Sequence, residues 1–332
     1  MRIPVRVTVI AAAGGVLAGV VSACSATGPA PAAAAEHPRA PSRPAASASP
    51  ASAAPSASAA TGPAAAAVQV VGAPRGVKAR GAVLADAATG TLLWSRDPDT
   101  ERPIGSITKV MTALVVIRAG DLGREIRVPA AVIPYVDKYG GNSAGLHPGD
   151  VLTTQQLLEA MLLPSGCDAA YTLATAYGPG MPAFLAKMNA TARQLGMLHT
   201  YFTSPDGLPY PTEYSTYSTP ADLLTLGLAA MKLPAFRSIV AQSFYQIHKG
   251  PGHHAYWWNN TNDLIGTYPG ADGIKDGYTD AALHCLLFEA TRGSLTLIGD
   301  VLGSPATGPA SGAQAASQVL NWGFGLPRTR PG

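Results

Sequence analysis

The sequence predicts an α/β fold of the α+β kind: one sheet assembled from the two ends of a domain, with helices inserted between them. Three observations predict it. Strand-like runs with turn signals stand at both ends, over Ala82–Trp94 and Ala281–Leu302. The stretch between them carries helix caps and long apolar runs. The chain has 332 residues, 47% apolar and 13% charged, enough for one large domain or two ordinary ones.

The elements follow in order. Ala82–Asp86, the turn Thr89-Gly90 and Leu92–Trp94 read as a β-hairpin. Ile104–Ala119 is mostly apolar and free of proline, which predicts a buried helix. Thr153 with Gln156 three residues on is a capping-box start, and Pro164 ends that helix after Leu163. Asp168–Tyr177 and Pro182–Leu195 predict two more helices. Thr219-Pro220 places a cap residue before a first-turn proline, so Pro220–Lys232 is helical. Ala281–Ala290 and Ser294–Leu302 pair around Thr291-Arg292-Gly293, and Gln314–Trp322 closes the domain as a helix.

The N-terminal part has a different character. Arg2 and Arg6 precede the apolar residues 7–21, a run of signal-peptide length that is short for a membrane span of roughly 20 residues. Val21-Ser22-Ala23-Cys24 resembles a bacterial lipobox, whose cysteine becomes the lipidated first residue; an ordinary secretory signal with a chance cysteine is the other reading. Residues 25–67 contain 39 Ala, Pro, Ser, Thr or Gly among 43, and no Leu, Ile, Phe or Val. Such a stretch buries no core and predicts a tether spanning on the order of 35–40 Å. The expected organisation is a signal peptide over 1–23, a tether over 24–76 and a folded domain over 77–327.

Charge excludes one partner class. The chain carries 23 basic and 20 acidic residues, and from Val77 onward the count is 18 against 19. A folded surface without basic excess argues against nucleic acid. Three cysteines do not make a disulfide scaffold.

Ser106-Ile107-Thr108-Lys109 is the predicted chemical centre. Residues three apart share a helix face, so the Ser106 hydroxyl and the Lys109 amine can meet. A serine needs a neighbouring base to act as a nucleophile, and a lysine serves when burial lowers its pKa. A helix N-terminus also favours developing negative charge. Alone, Ser-x-x-Lys equally describes a capping serine beside a surface lysine. Two further elements follow in order: Ser165-Gly166-Cys167 after Leu162-Leu163-Pro164, and Lys275-Asp276-Gly277 before Tyr278. The trio S-x-x-K, S-D-N and K-T-G marks penicillin-binding enzymes.

At these residues the sequence resembles the serine D-Ala-D-Ala carboxypeptidases, the low-molecular-mass penicillin-binding proteins. Ala85–Gly90, Arg102–Leu114, His147–Asp150, Asp206–Leu208 and Ser218–Leu223 look like family segments too, so the resemblance covers roughly residues 77–325. It implies a DD-peptidase/β-lactamase-like fold, an antiparallel sheet flanked by helices plus a helical subdomain. It also implies that Ser106 attacks the penultimate D-Ala carbonyl of a peptidoglycan stem peptide, Lys109 takes its proton, and Ser165 relays it to the leaving D-Ala. Lys275 keeps the site positive, and the backbone N–H groups of Ser106 and of Tyr278, on an edge strand, form the oxyanion hole. β-Lactam antibiotics would stall at the acyl-enzyme. No metal or organic cofactor is implied. The chain ends soon after Trp322, so the C-terminal β domain and amphipathic anchor of many relatives are expected to be absent; lipidated Cys24 could replace that anchor, the membrane being met only through the signal or the lipid at Cys24.

Two departures stand out. The family usually has asparagine where Cys167 stands, and a thiol is a weak donor and acceptor. The family has threonine where Asp276 stands, and its hydroxyl helps bind the substrate's terminal carboxylate. Asp276 would repel that group by roughly 4 kcal/mol at 4 Å and an effective dielectric of 20. It could also pair with Lys275 or Lys109, or be protonated and donate as a threonine does. Gly303–Gly312 offers no Lys or Arg in compensation.

The remaining candidates read more simply. His248, His253 and His254 sit near Gly250, Pro251 and Gly252 and are expected to be solvated loop residues rather than metal ligands. Cys285 reads as a buried apolar residue, with a Cys167–Cys285 disulfide as the alternative. Tyr256-Trp257-Trp258 is expected to pack near the site mouth or to form a platform for sugar or peptide. Asp206 and Asp222 read as turn and cap residues. Three functions stay open: an exported carboxypeptidase at the outer face of the membrane or in the wall, a weakened homologue that binds wall peptides, and a serine β-lactamase, for which no acidic deacylation motif is recognisable.

Overall fold

The computed structural model describes residues 72–305 and 311–327. The signal run, Cys24 and the tether up to residue 71 lie outside the described residues, as do 306–310, within the stretch expected to lack a compensating cation.

The predicted hairpin is present as β1 (Gly81–Asp86) and β2 (Leu92–Arg96), followed by the short β3 (Arg102–Pro103). The helix expected from Ile104 starts later. Gly105–Ile107 form a 3-10 turn, and α1 runs over Thr108–Ala119. The reason is local: Gly105 has φ +51°, and its carbonyl accepts the Thr108 hydroxyl at 2.8 Å. α1 is rich in β-branched residues, which favour helix weakly, so burial of eight of its 12 residues holds it.

The middle of the chain supplies β4 (Glu125–Arg127), α2 (Val132–Tyr139), β5 (Val151–Thr153), α3 (Thr154–Leu162), α4 (Cys167–Tyr177) and α5 (Met181–Gln194). The Thr153–Gln156 capping box forms with both of its hydrogen bonds. Next come β6 (Tyr217–Ser218) and α6 (Pro220–Ala230), whose Thr219 hydroxyl accepts the Asp222 N–H at 3.2 Å. α7 (Pro234–Val240), β7 (Phe244–Ile247) and β8 (Tyr256–Asn259) were not expected from pattern. The chain closes with β9 (Ala271–Thr279), β10 (Leu283–Arg292), β11 (Leu295–Ser304) and α8 (Ser311–Phe324). The β10–β11 turn keeps Gly293 of the expected Thr291-Arg292-Gly293, with φ +61°, while β10 runs on through Arg292.

The main sheet is antiparallel in the order β2-β1-β11-β10-β9, so the first and last strands of the folded domain do meet, at the β1–β11 pair. Both faces are covered. Leu286, Phe288 and Ala290 of β10 pack with Ala316 and Val319 of α8. Cys285 and Leu287 point the other way, into the core shared with α1, α3, α4 and α6. This alternation is the two-residue period of a strand. Burying each large apolar side chain stabilises by about 1.5–3 kcal/mol. β9 is left as a sheet edge, and the Ser106 turn packs against it.

One buried acid gives the fold a pH dependence. Glu289 on β10 is 2% exposed and pairs with half-exposed Arg237 at 3.1 Å. Burial pushes its carboxyl up to about 7, against the charge of Arg237 and with that of Asp272. The folded state therefore holds this proton more tightly than the unfolded chain. That stability is fully present below the ordinary value of 4.5 and is lost as pH rises through about 7. Glu289→Gln should flatten the decline of melting temperature between about pH 5 and 8 and stabilise by on the order of 2–3 kcal/mol at the upper end. An unchanged slope in thermal melts would assign the titration to another group.

Candidate active site

The site lies where the Ser106 turn, the start of α4 and the edge strand β9 converge. Close approach of backbones builds it. A Cβ on Gly277 would stand 2.6 Å from the Ile104 carbonyl oxygen and 3.0 Å from the Ser106 nitrogen. Gly207 has φ +84°, and a Cβ there would overlap the Gly105 carbonyl. No larger residue fits either position with the chain in place.

Lys109 is completely buried, and its Nζ has three polar neighbours. Nζ donates to Ser106 Oγ at 2.8 Å and to the Asp206 carbonyl at 3.1 Å, and it lies 3.5 Å from Cys167 Sγ. The i, i+3 pair therefore meets as the spacing predicts. Asp206 is more than a turn residue. Its carboxylate accepts from Tyr135 Oη at 2.9 Å and from the Leu208 N–H at 3.1 Å, which fixes the carbonyl that faces Lys109. Asp222 likewise exceeds a capping role, since its carboxylate accepts from the His199 N–H and the Thr200 hydroxyl.

Ser165 and Cys167 stand at the start of α4. Ser165 has φ +64°, a left-handed conformation that costs a non-glycine residue on the order of 1–3 kcal/mol. Its Oγ is buried and without a hydrogen-bond partner. Cys167 is buried, and burial pushes its thiol up to about 12, against the pull of nearby Lys109. It is therefore a neutral thiol at physiological pH, packed under Gly141 and tied by its N–H to the Asn142 carbonyl at 2.8 Å. Cys167 and Cys285 are both free and buried, which corrects the disulfide alternative.

Lys275 and Asp276 form an ion pair with each other. Thr261 bridges them: its hydroxyl donates to Asp276 Oδ1 at 2.6 Å and accepts from Lys275 Nζ at 3.3 Å. Burial alone would raise the Asp276 carboxyl. The Lys275 charge and the hydrogen bonds from Lys275 and Thr261 outweigh it and hold the group below the usual carboxylate range. This corrects the protonated-Asp276 alternative. Burial pulls Lys275 below the usual lysine range, with Asp276 opposing.

These residues enclose a cavity of about 300 Å³ lined by Ser106, Ser165, Cys167, Asp276 and Tyr278, among others. Tyr278 contributes backbone, while its exposed ring turns outward onto His284, 4.8 Å away. Thr261, Asn142 and the cavity-lining Glu213 were not expected; none has a fixed sequence offset from the three motifs.

Other candidates lie elsewhere. Tyr256 and Trp258 are buried, donating to Asp150 and to the Ala144 carbonyl, and neither lines the cavity. Trp257 stacks on Phe244 with ring centres 4.5 Å apart. The expected packing at the site mouth is thus corrected: the β7–β8 ribbon supports the 144–150 segment instead. His254 is no merely solvated histidine, since Nδ1 lies 2.9 Å from buried Asp150 and its ring stacks on His147. Among the described residues no group of three or more His, Cys, Asp or Glu is placed to hold a metal.

Known proteins resemble this chain in sequence and in fold. Residues 67–306 match the peptidase S11 family, D-alanyl-D-alanine carboxypeptidase. The D-alanyl-D-alanine carboxypeptidase of Streptomyces sp. (strain K15) is 39% identical over 262 residues, 75% of this chain and 88% of that protein. DacB2 of Mycobacterium tuberculosis (strain ATCC 25618 / H37Rv), a D-alanyl-D-alanine carboxypeptidase, is 36% identical over 246 residues, 74% of this chain and 81% of its own. The crystal structure of the Streptomyces K15 DD-transpeptidase aligns with a TM-score of 0.72 at 38% identity, over 77% of this chain and all of that one. The antiparallel sheet flanked by helices is thus the penicillin-binding fold, and the chain belongs to the S11 family of D-alanyl-D-alanine carboxypeptidases, serine peptidases by reaction class.

Proposed function

We propose that this chain is an exported D-Ala-D-Ala carboxypeptidase that trims peptidoglycan stem peptides through an acyl-enzyme on Ser106 and binds penicillin. The 2.8 Å contact between Ser106 Oγ and buried Lys109 Nζ carries the reading. Lys109 Nζ takes the hydroxyl proton along that line while Oγ attacks the D-Ala carbonyl. The oxyanion settles against the Ser106 and Tyr278 N–H groups, on backbones that Gly277 and Gly105 bring together. Ser165, whose Oγ is buried and without a partner, passes the proton to the leaving D-Ala amine. Water then frees the enzyme. The cysteine after the first serine of the second motif has a parallel: solved variants of the K15 enzyme replace a serine and a cysteine two positions further on. In this reading residues 1–23 direct export and Cys24 carries the lipid that holds the domain at the outer face of the membrane.

The Lys275–Asp276 pair favours a second reading, a homologue of weakened turnover that retains wall-peptide binding. Intact mass after incubation with benzylpenicillin tests both. The full-length protein should gain one covalent adduct on Ser106, absent in Ser106→Ala. A folded protein that gains none would favour the second reading.

A further inference from the structure

The ion pair at β9 is oriented. Lys275 is 1% exposed and Asp276 is 35% exposed at the side chain, so the pair turns its negative end toward the cavity and its positive end inward. The described cavity lining holds two more acids, Glu213 and Asp280, and no lysine or arginine. Glu213 Oε2 is buried without a partner, and Asp280 receives one hydrogen bond, from the Tyr278 hydroxyl at 3.2 Å. Lys109 is fully buried and committed to Ser106 and the Asp206 carbonyl. A group entering beside the nucleophile therefore meets carboxylates first. Thr261 stiffens this arrangement by hydrogen-bonding both members of the pair.

We propose that the cavity selects D-alanyl peptides in which the residue beyond the scissile bond carries no negative charge, and that Asp276 imposes that selection. The preferred substrate has a neutral or cationic group there, an amide, an ester or an amine-bearing residue, in place of a free terminal carboxylate. The inference rests on the acyl-enzyme reading above and narrows its substrate. The step is unchanged: the Ser106 Oγ–carbonyl bond forms, the amide C–N bond breaks, and the amine leaves with the proton that Lys109 took. Release of a free terminal D-Ala is the slower reaction of the same serine.

Diacetyl-L-Lys-D-Ala-D-Ala and its C-terminal amide, offered to the full-length protein, test the charge selection. The amide should show the larger kcat/KM, by roughly tenfold or more. Asp276→Asn, nearly isosteric and neutral, should abolish or invert that ratio by raising turnover of the acid. A residue with only a structural role would change both peptides alike. Benzylpenicillin and its methyl ester give a comparison that needs no variant and no deacylation, and the ester should acylate Ser106 relatively faster than on a reference carboxypeptidase. A preference for the free acid, or a ratio unchanged by Asp276→Asn, overturns the inference while the acyl-enzyme reading stands. Absence of both product and adduct with every probe would remove the acyl-enzyme reading and this inference with it.

Discussion

Lys109→Met should lower the rate of Ser106 acylation by benzylpenicillin roughly 10²–10⁴-fold, the range for loss of a positioned general base. Methionine keeps most of the apolar stem, so the fully buried position stays filled and the effect reports the amine rather than a cavity. The hydrogen bond to the Ser106 hydroxyl comes from this amine. Without it Oγ faces the substrate as an ordinary alcohol, a weak nucleophile at neutral pH. The same substitution removes the donor to the Asp206 carbonyl, 97 residues away in sequence. A fall in melting temperature of a few degrees should accompany the kinetic loss, since one such contact contributes about 1 kcal/mol. Stopped-flow acylation and a thermal melt on the same preparation separate the two effects. A rate within about threefold of the unsubstituted protein would place the base elsewhere.

Asp276→Thr should act in the opposite direction, raising acylation by benzylpenicillin, which carries a carboxylate. Two carboxylates 4 Å apart repel by roughly 4 kcal/mol at an effective dielectric of 20. Asp276 is about one-third exposed and half-neutralised by Lys275, so water and the pair reduce that figure. An increase of about ten- to a hundredfold is expected, each tenfold corresponding to about 1.4 kcal/mol. Threonine frees the Lys275 ammonium to act as an anion receptor and leaves Thr261 hydrogen-bonded to it. The gain should shrink as salt is added, because the affected group faces a solvent-filled cavity. An unchanged rate would mean that the incoming carboxylate never approaches this position.

The first and third motifs are held together in different ways. Ser106 and Lys109 stand three residues apart on one turn of chain, so backbone geometry alone predicts their meeting. Lys275 and Asp276 are neighbours on a strand, where successive side chains leave on opposite faces. Their pairing depends on the lysine's flexible stem and on Thr261 from another segment.

What the sequence determined by itself is what short-range geometry dictates. The Thr153–Gln156 capping box, the Thr219-Pro220 helix start, the first hairpin and the Ser106–Lys109 contact each depend on a few consecutive residues, and each is present. The joining of the domain's first and last strands was legible as well, because buried strands leave apolar runs bounded by turns. Tertiary structure decided the rest. Only folding brings Thr261 to Asp276, Asn142 to Cys167 and the Asp206 carbonyl to Lys109. The packing of the Ser106 turn follows from backbones pressed together at glycines 207 and 277, and the fixed geometry of the Lys275–Asp276 pair from Thr261, a partner distant in sequence. Hydrogen bonds and ion pairs between distant segments have no period to read. Their partners are chosen by packing, and packing is a property of the assembled domain.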